Sequence, residues 1–344
     1  MQYPKVSIVI LNFNTKELLQ KLIPFALKTD YPAFEVVVAD NASSDGSLAL
    51  MQTEFPNVRC IALTNNLGYA GGYNEALKQL DTDYWVLLNS DVEVDPGWLT
   101  PMMQTMTTNG NIAAVQPKIL DFNNRQKFEY AGASGGMIDQ YGYPFCRGRI
   151  FDKIESDSGQ YNNAMQVFWA SGAALLVRAK VYAELNGLDQ DFFAHMEEID
   201  LCWRMQNASY EVWVEPNAFV YHIGGGTLDA QSAKKVYLNF RNNLVLIAKN
   251  MPTGLALKTL SIRLILDGLA GVKFLLDGKP RSTWMIVKAH WAFFARFKFY
   301  WSKRKQNPIP RLTTEIPGYY KLSIVYQHFA KGVKHFSDIK KPSV

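Results

Sequence analysis

Tyr84-Trp85-Val86-Leu87-Leu88-Asn89-Ser90-Asp91-Val92-Glu93 runs five apolar side chains into an abrupt polar turn. A short, continuous apolar run bounded by turn residues reads as a strand buried on both faces, the kind found in parallel sheets covered by helices. Working outward, Val6-Ser7-Ile8-Val9-Ile10-Leu11 and the stretches 35–39 and 59–63 repeat the pattern. Between them, 15–28 and 71–80 carry apolar residues at helical spacing, and 43–54 follows an Asn/Ser/Asp-rich turn suited to starting a helix. The alternation predicts an α/β fold with a mostly parallel central sheet flanked by helices.

Each of these strands ends in a polar loop: Asn12-Phe13-Asn14, Asp40-Asn41-Ala42-Ser43, Asn65-Asn66-Leu67-Gly68 and Asn89-Ser90-Asp91. Ligands of open α/β sheets bind beyond the carboxyl ends of the strands, where loops converge and helix amino termini offer free amides to anions. From about 116 to 226 the chain is less regular, with turns at Gly132-Ala133-Ser134-Gly135-Gly136 and a strand-like stretch 166–177, and it reads as the second half of the same domain. Residues 231–250 form a helix pattern carrying Lys234, Lys235 and Arg241, and everything after Pro252 reads as helical. The expected divisions are therefore 1–115, 116–250 and 251–344.

With 344 residues, 48% of them hydrophobic, the chain has ample material for a core. Met1-Gln2-Tyr3-Pro4-Lys5 leads into an apolar run too short for a signal peptide, so the expected compartment is the cytosol. Cys60, Cys146 and Cys202 have no metal-ligand spacing and read as reduced thiols. The net charge of +5 divides unevenly: residues 251–344 hold 17 Lys/Arg against 4 Asp/Glu, and the rest hold 19 against 27. A basic tail suits nucleic acid or an anionic membrane surface; its aromatic content favours the membrane, and no nucleic-acid partner is expected.

Five segments carry chemistry. Asp40, followed by Asn41-Ala42-Ser43-Ser44-Asp45-Gly46, offers a carboxylate to the imide N–H of uracil or thymine, against the plainer reading of a helix cap. Asn65-Asn66-Leu67-Gly68-Tyr69-Ala70-Gly71-Gly72 opens a helix with glycines that permit close approach of a diphosphate. It lacks both GxGxxG and the Lys-Ser/Thr of a P-loop, which excludes nicotinamide cofactors and ATP as natural ligands. Asp91 can hold Mg²⁺ or Mn²⁺ on a diphosphate, against an Asx-turn. His195-Met196-Glu197-Glu198-Ile199-Asp200 packs three carboxylates into four positions, where repulsion and burial raise a pKa into the range of a general base; the alternative is a set of acids on a helix dipole. His222, beside Gly224-Gly225-Gly226, reads as a metal or phosphate contact or as a packed core histidine.

Taken in order, these motifs, with Ser171-Gly172-Ala173 between them, resemble the inverting family-2 glycosyltransferases, most closely the rhamnosyltransferase-like group. The resemblance covers about residues 5–250. It implies a single nucleotide-diphospho-sugar transferase domain of the GT-A kind. In it the donor would be held by Asn12, Asn14, Asp40, Asn41, Ser43, Asn66, Gly68, Gly71, Asn89 and Ser90. The metal, Mg²⁺ or Mn²⁺, would be held by Asp91 with help from His222, and the acidic cluster would lie at the acceptor. Two positions depart from the family pattern: Asn89 replaces the first carboxylate of Asp-x-Asp, and Glu198 replaces the aspartate of Glu-Asp. Glu198 is the expected base, with Asp200 in reserve and Glu197 beside it. Trp169, Ser171 and Gly172 are the expected acceptor wall, since an indole face suits a sugar ring. The implied substrates are a UDP- or dTDP-sugar, dTDP-rhamnose among them, and a hydroxyl of a glycan or lipid-linked glycan used in cell-surface polysaccharide assembly.

The stretch 255–276 is apolar but interrupted by Lys258, Arg263, Asp267 and Lys273, so it is not expected to span a bilayer. Trp284, Trp291, Phe293, Phe294, Phe297, Phe299, Tyr300 and Trp301 follow among Lys288, Arg296, Lys298, Lys303, Arg304 and Lys305. Aromatic anchors with basic neighbours predict docking on the inner face of an anionic membrane, against packing on the catalytic domain. A processive synthase would add spanning helices and Gln-x-x-Arg-Trp, and a nucleotidyltransferase would put a glycine- and arginine-rich loop where Asn12-Phe13-Asn14-Thr15 stands. A catalytically inactive sugar-nucleotide- or membrane-binding partner in a glycan assembly complex is the reading from another class.

Overall fold

The computed structural model describes residues 3–224 and 233–339. Strands β1 (Val6–Asn12), β2 (Phe34–Asp40), β3 (Arg59–Ala62) and β4 (Tyr84–Asn89) lie parallel in the order β3-β2-β1-β4. Helices α1 (Lys16–Leu27), α2 (Ser47–Glu54) and α3 (Gly68–Leu77) connect them. Side chains alternate across a strand, so the sheet feeds two cores. Ile8, Ile10, Val36, Val38, Val86 and Leu88 pack with α1 and with α4 (Leu99–Thr108). Val9, Val37 and Leu87 pack on the other face with Tyr73 and Ala76 of α3.

The second half continues the same sheet, and it makes the sheet mixed. After the short β5 (Val92–Val94), β6 (Ile112–Asp121) carries the chain to the far side of the sheet. A small second sheet is then built from β7 (Gly136–Asp139), β8 (Pro144–Cys146), β9 (Arg149–Ile150) and β10 (Lys153–Ile154). The expected strand over 166–177 is two strands, β11 (Met165–Gln166) and β12 (Ala174–Arg178), because the chain leaves the sheet between them. There Ser171 is tied to Gln116 and Ala131 instead of to a neighbouring strand. β12 slots antiparallel between β4 and β6. Helices α5 (Ala179–Glu184) and α6 (Glu197–Asn207) precede β13 (Glu211–His222), which runs parallel to β6 and antiparallel to β5.

Helices α7 (Ala233–Asn250), α8 (Thr253–Leu276), α9 (Pro280–Ala295) and α10 (Phe297–Ser302) follow. The remainder is not wholly helical as expected. β14 (Tyr319–Tyr320) adds a strand to the second sheet beside β7, and the short α11 (Ile324–Phe329) comes after it. Nor is the aromatic stretch 284–301 one exposed face. Phe293 and Tyr300 are buried and stacked 5.9 Å apart, Arg304 donates to Ala248 O at 2.6 Å, and Lys303 pairs with Asp189 at 2.6 Å. Burial of these rings fastens the tail to the catalytic body. Among the described residues no helix is long and apolar enough to cross a membrane.

Candidate active site

The register of the sheet brings the polar strand ends together. Leu11 pairs with both Ala39 and Asn89, Asn12 with Asp40, and Asp40 with Ala62. Asp40, almost wholly buried, accepts from Asn12 Nδ2 at 2.7 Å and from the Ser43 amide at 2.9 Å. Asn12 Nδ2 also reaches Ser43 Oγ at 2.9 Å, and Asn14, at φ 53°, accepts from the Ser44 amide at 2.8 Å. Asn41 is the tie to the next loop: its Oδ1 accepts from the Leu67 amide at 3.0 Å and its Nδ2 donates to Asn66 Oδ1 at 3.1 Å and to Gly68 O at 3.0 Å. Gly68 needs to be glycine, because its φ is +69° and a Cβ would stand 2.7 Å from Phe193. Gly71 lies one turn into α3, against Leu67. All eight of these predicted donor residues therefore share one end of the sheet.

Asn89 and Ser90 lead from β4 into the same cluster. The Asn89 amide donates to Ala173 O at 3.0 Å, and Ser90 Oγ and Thr15 Oγ1 are hydrogen-bonded at 2.9 Å. Thr15 gives its hydroxyl proton to Asn12 Oδ1 at 2.6 Å, so it links Asn12 to Ser90. Asp91 Oδ1 lies 3.1 Å from His222 Nε2, and His222 Nδ1 lies 3.1 Å from Glu129 Oε2 in an ion pair that is not aligned as a hydrogen bond. Burial pushes the His222 imidazole down, but Asp91 and then Glu129 outweigh it and raise the pKa to about 10. The protonated ring thus stands between two carboxylates. Asp91 would be the carboxylate donor to Mg²⁺ or Mn²⁺, and His222 would join it only after giving up the proton that it holds between Asp91 and Glu129. Among the described residues no three His, Cys, Asp or Glu side chains form a cage that would bind such an ion without substrate.

α6 starts from a strained segment. Phe193, His195 and Met196 have φ of 65°, 69° and 74°, a region that costs non-glycine residues on the order of 1 kcal/mol each. The segment is held by Asn242 of α7, whose Nδ2 donates to the carbonyls of Phe192, Ala194 and His195 at 3.0, 2.9 and 2.7 Å. The reward is the placement of Glu197 and Glu198 at the head of α6, each with an Oε2 that is shielded and without a hydrogen-bond partner. Glu197 is closed off from solvent, while Glu198 keeps a margin of access. Burial raises the Glu198 carboxyl to about 7, and burial with the neighbouring Glu198 charge holds Glu197 well above the usual carboxylate range. His195, also with an unpartnered Nε2, is pushed down to about 4 by burial and by Lys235.

Asp200 is occupied elsewhere. Its carboxylate pairs with Arg204 at 2.8 Å and Lys249 at 2.9 Å and accepts from Asn250 at 2.8 Å. Despite complete burial these partners hold its pKa below the usual carboxylate range. A low-pKa carboxylate already bound on both oxygens makes a poor base, so the reserve role expected of it gives way to fixing α6.

The acceptor wall is placed differently from expectation. Trp169 is 4% exposed, its Nε1 donates to Met137 O at 2.9 Å, and its ring lies directly on Gly136, so it is core. Ser171 is buried in hydrogen bonds to Gln116 and Ala131. Gly172 does border Glu198: a Cβ there would meet Tyr69 Oη at 2.5 Å and Glu198 Cβ at 3.6 Å, and Tyr69 Oη donates to Gly172 O at 2.6 Å. Sequence reading missed Thr15, Tyr69 and Glu129. Thr15 looked like a helix start and Tyr69 lay inside a glycine motif, but Glu129 had no local signal, since its partner is 93 residues away in sequence.

Comparison with known proteins agrees with this geometry. Residues 7–172 match the sequence profile of Glycosyl transferase family 2. The N-acetylglucosaminyl-diphospho-decaprenol L-rhamnosyltransferase of Mycobacterium tuberculosis is 26% identical over 245 residues, covering 66% of this chain and 78% of that protein. Among solved structures, GalNAc-T7 with UDP, GalNAc and Mn²⁺ superposes with a TM-score of 0.58 at 13% identity, over 72% of this chain and 48% of that one. The mannosyltransferase PcManGT from Pyrobaculum calidifontis, with GDP-Man and Mn²⁺, gives 0.54 at 14% identity over 89% and 85%. The strand-end loops, the glycine-bordered acidic helix and these likenesses together place a glycosyl transferase family 2 match over residues 7–172 on a fold of the GT-A kind.

Proposed function

We propose that the protein is an inverting glycosyltransferase that moves a sugar from a UDP- or dTDP-sugar, dTDP-rhamnose among the candidates, to a hydroxyl of a lipid-linked glycan during cell-surface polysaccharide assembly. It works in the cytoplasm on the inner face of the membrane. The observation that carries the reading is Glu198: a shielded carboxyl with a pKa near 7 and an unpartnered oxygen, beside Gly172 and at the same sheet end as Asp91. A base poised near the working pH takes the proton from the acceptor hydroxyl as its oxygen attacks the anomeric carbon. The C1–O bond to the diphosphate breaks in the same displacement, which inverts the configuration. Asp91 and His222 are the residues that would hold Mg²⁺ or Mn²⁺, and the ion would neutralise charge on the departing diphosphate.

Asp40 and Asn12 orient the base of the nucleotide, while the amides at the start of α3 and Gly68 border the diphosphate. The likeness to an enzyme named for a diphospho-decaprenol acceptor supports a lipid-linked glycan here. Binding of UDP-, dTDP- and GDP-sugars with and without Mn²⁺, followed by release of nucleoside diphosphate, tests the proposal. Tight binding of a GDP-sugar alone would overturn the assignment of the base, and binding without metal-dependent turnover of any donor would leave the chain as an inactive sugar-nucleotide-binding partner.

A further inference from the structure

α8 is built inside out. Its charged residues Arg263 and Asp267 are 2% and 0% exposed and face the protein, where they form a satisfied network. Arg263 Nε donates to Asp267 Oδ1 at 3.0 Å, Tyr143 Oη donates to the same oxygen at 2.8 Å, and His290 of α9 meets Asp267 Oδ2 at 2.9 Å. Two of the four charges that interrupt the sequence pattern thus anchor the helix inward, while Lys258 and Lys273 are exposed. The outward stripe is left uninterrupted: Leu264 is 48%, Ile265 67%, Leu269 62%, Val272 53% and Leu276 84% exposed.

α9 extends that face. Thr283 donates to Gly271 O at 2.8 Å and His290 meets Asp267, so the two helices run antiparallel from a turn at 277–279. Trp284, Val287, Trp291 and Phe294 then lie outward at 61, 52, 74 and 44% exposure. Exposed apolar side chains gathered on two packed antiparallel helices mark an interaction site. Its fringe is basic: Lys258, Lys279, Arg281, Lys288, Arg296 and Lys298 are exposed, and the acidic Asp277 is paired with Lys273.

We infer that the outward face of the α8–α9 hairpin is seated in one leaflet of an anionic phospholipid bilayer, with the hairpin lying along the surface. Exposed tryptophans beside lysines and arginines match the apolar and headgroup layers of such a leaflet. A second copy of this chain is the poorer occupant, because a two-fold contact would set one basic fringe against the other. The hairpin also packs on α7, which holds the segment before α6. Lys288 of α9 stands 5.7 Å from the ring of Tyr237, and on the same stretch of α7 Arg241 donates to Asp191 O at 2.8 Å, in the segment that leads to Glu198. The inference deepens the proposed use of a membrane-held acceptor, but it stands on a different observation.

The test is sedimentation of the full chain with phosphatidylglycerol-containing and pure phosphatidylcholine vesicles, beside light scattering and metal-dependent release of nucleoside diphosphate in detergent-free buffer. The wild type is expected with the anionic vesicles, and Ile265→Ser/Leu269→Ser/Leu276→Ser is expected to lower the bound fraction about tenfold or more. Lys279→Glu/Arg281→Glu should weaken binding and its salt dependence together, with nucleotide release unchanged in both variants. Wild type remaining in the supernatant, or a triple variant that sediments like wild type, overturns the inference. So does a wild-type dimer that the triple variant converts to monomer. Vesicle binding without turnover of any donor supports the surface while removing the transferase reading, so the two fail separately.

Discussion

Asp91 Oδ1 and His222 Nε2 lie 3.1 Å apart at the edge where β5 pairs with the end of β13. The pairing His222↔Val92 sets that distance from two segments 131 residues apart. With one carboxylate where two are common, the ion should depend on the imidazole and on the diphosphate. Chelation is expected to abolish transfer and added Mn²⁺ or Mg²⁺ to restore it. Asp91→Asn should lower kcat by about 10²–10³-fold, and His222→Ala should raise the metal concentration needed for half-maximal rate by about 10–100-fold. A His222→Ala enzyme with an unchanged metal titration would remove His222 from the site.

Glu198 leads to a paired prediction about rate and stability. Transfer should rise with pH through a limb near 7, since the base works only when ionised. Glu198→Gln should lower kcat by about 10²–10⁴-fold with donor binding nearly unchanged. The stability effect has the opposite pH sense. The folded-state pKa lies above the unfolded value, so the unfolded chain binds fewer protons between about 4.5 and 7, and folding weakens as pH rises across that window. Relative to wild type, Glu198→Gln should gain at most ~3 kcal/mol by pH 8 and little at pH 4. Thermal unfolding at the two pH values checks it, and equal Tm differences would contradict the shift.

The parallel half of the fold was legible because its strands are short apolar runs that stop at polar loops, and the family likeness then ordered the loops into one site. β1 to β4 end at Asn12, Asp40, Ala62 and Asn89, within a residue of the expected bounds. What was illegible depends on contacts distant in sequence. Trp169 is core because Gly136 passes under its ring, Asp200 is structural because Lys249 and Asn250 reach it from α7, and Glu129 joins His222 through packing. The inward direction of Arg263 and Asp267 likewise follows from Tyr143 and His290, not from the pattern of α8 itself.

Asp200 and Glu198, two residues apart, should fail in different ways. Asp200→Ala strands the buried Arg204 charge and leaves Lys249 with Asp189 as its carboxylate partner, and breaking such a buried pair costs about 3–5 kcal/mol. Urea unfolding should show that loss in Asp200→Ala and none in Glu198→Gln. The folded fraction of the milder Asp200→Asn, measured at low temperature, should keep kcat within about tenfold of wild type, as expected when no transition-state contact is removed. A folded Asp200→Asn protein with no activity would move the base to Asp200.

Tyr69 and Gly172 offer a test of how tightly the wall beside the base is built. A methyl on residue 172 would stand 2.5 Å from Tyr69 Oη and 3.2 Å from its Cζ, with Glu198 Cβ at 3.6 Å on the other side. Gly172→Ala must therefore push the tyrosine or shift Glu198, and a misplacement near 1 Å costs up to about 10²-fold in rate. Tyr69→Phe alone loses the 2.6 Å bond to Gly172 O, worth about 1 kcal/mol, and leaves Glu198 where it is. Removing the hydroxyl also removes the nearest clash. The double variant is therefore expected to be faster than Gly172→Ala, with an interaction energy of about 1 kcal/mol or more in a double-mutant cycle on kcat. Strict additivity of the two substitutions would mean that the wall yields without disturbing the base, and that Gly172 serves only the bend into β12.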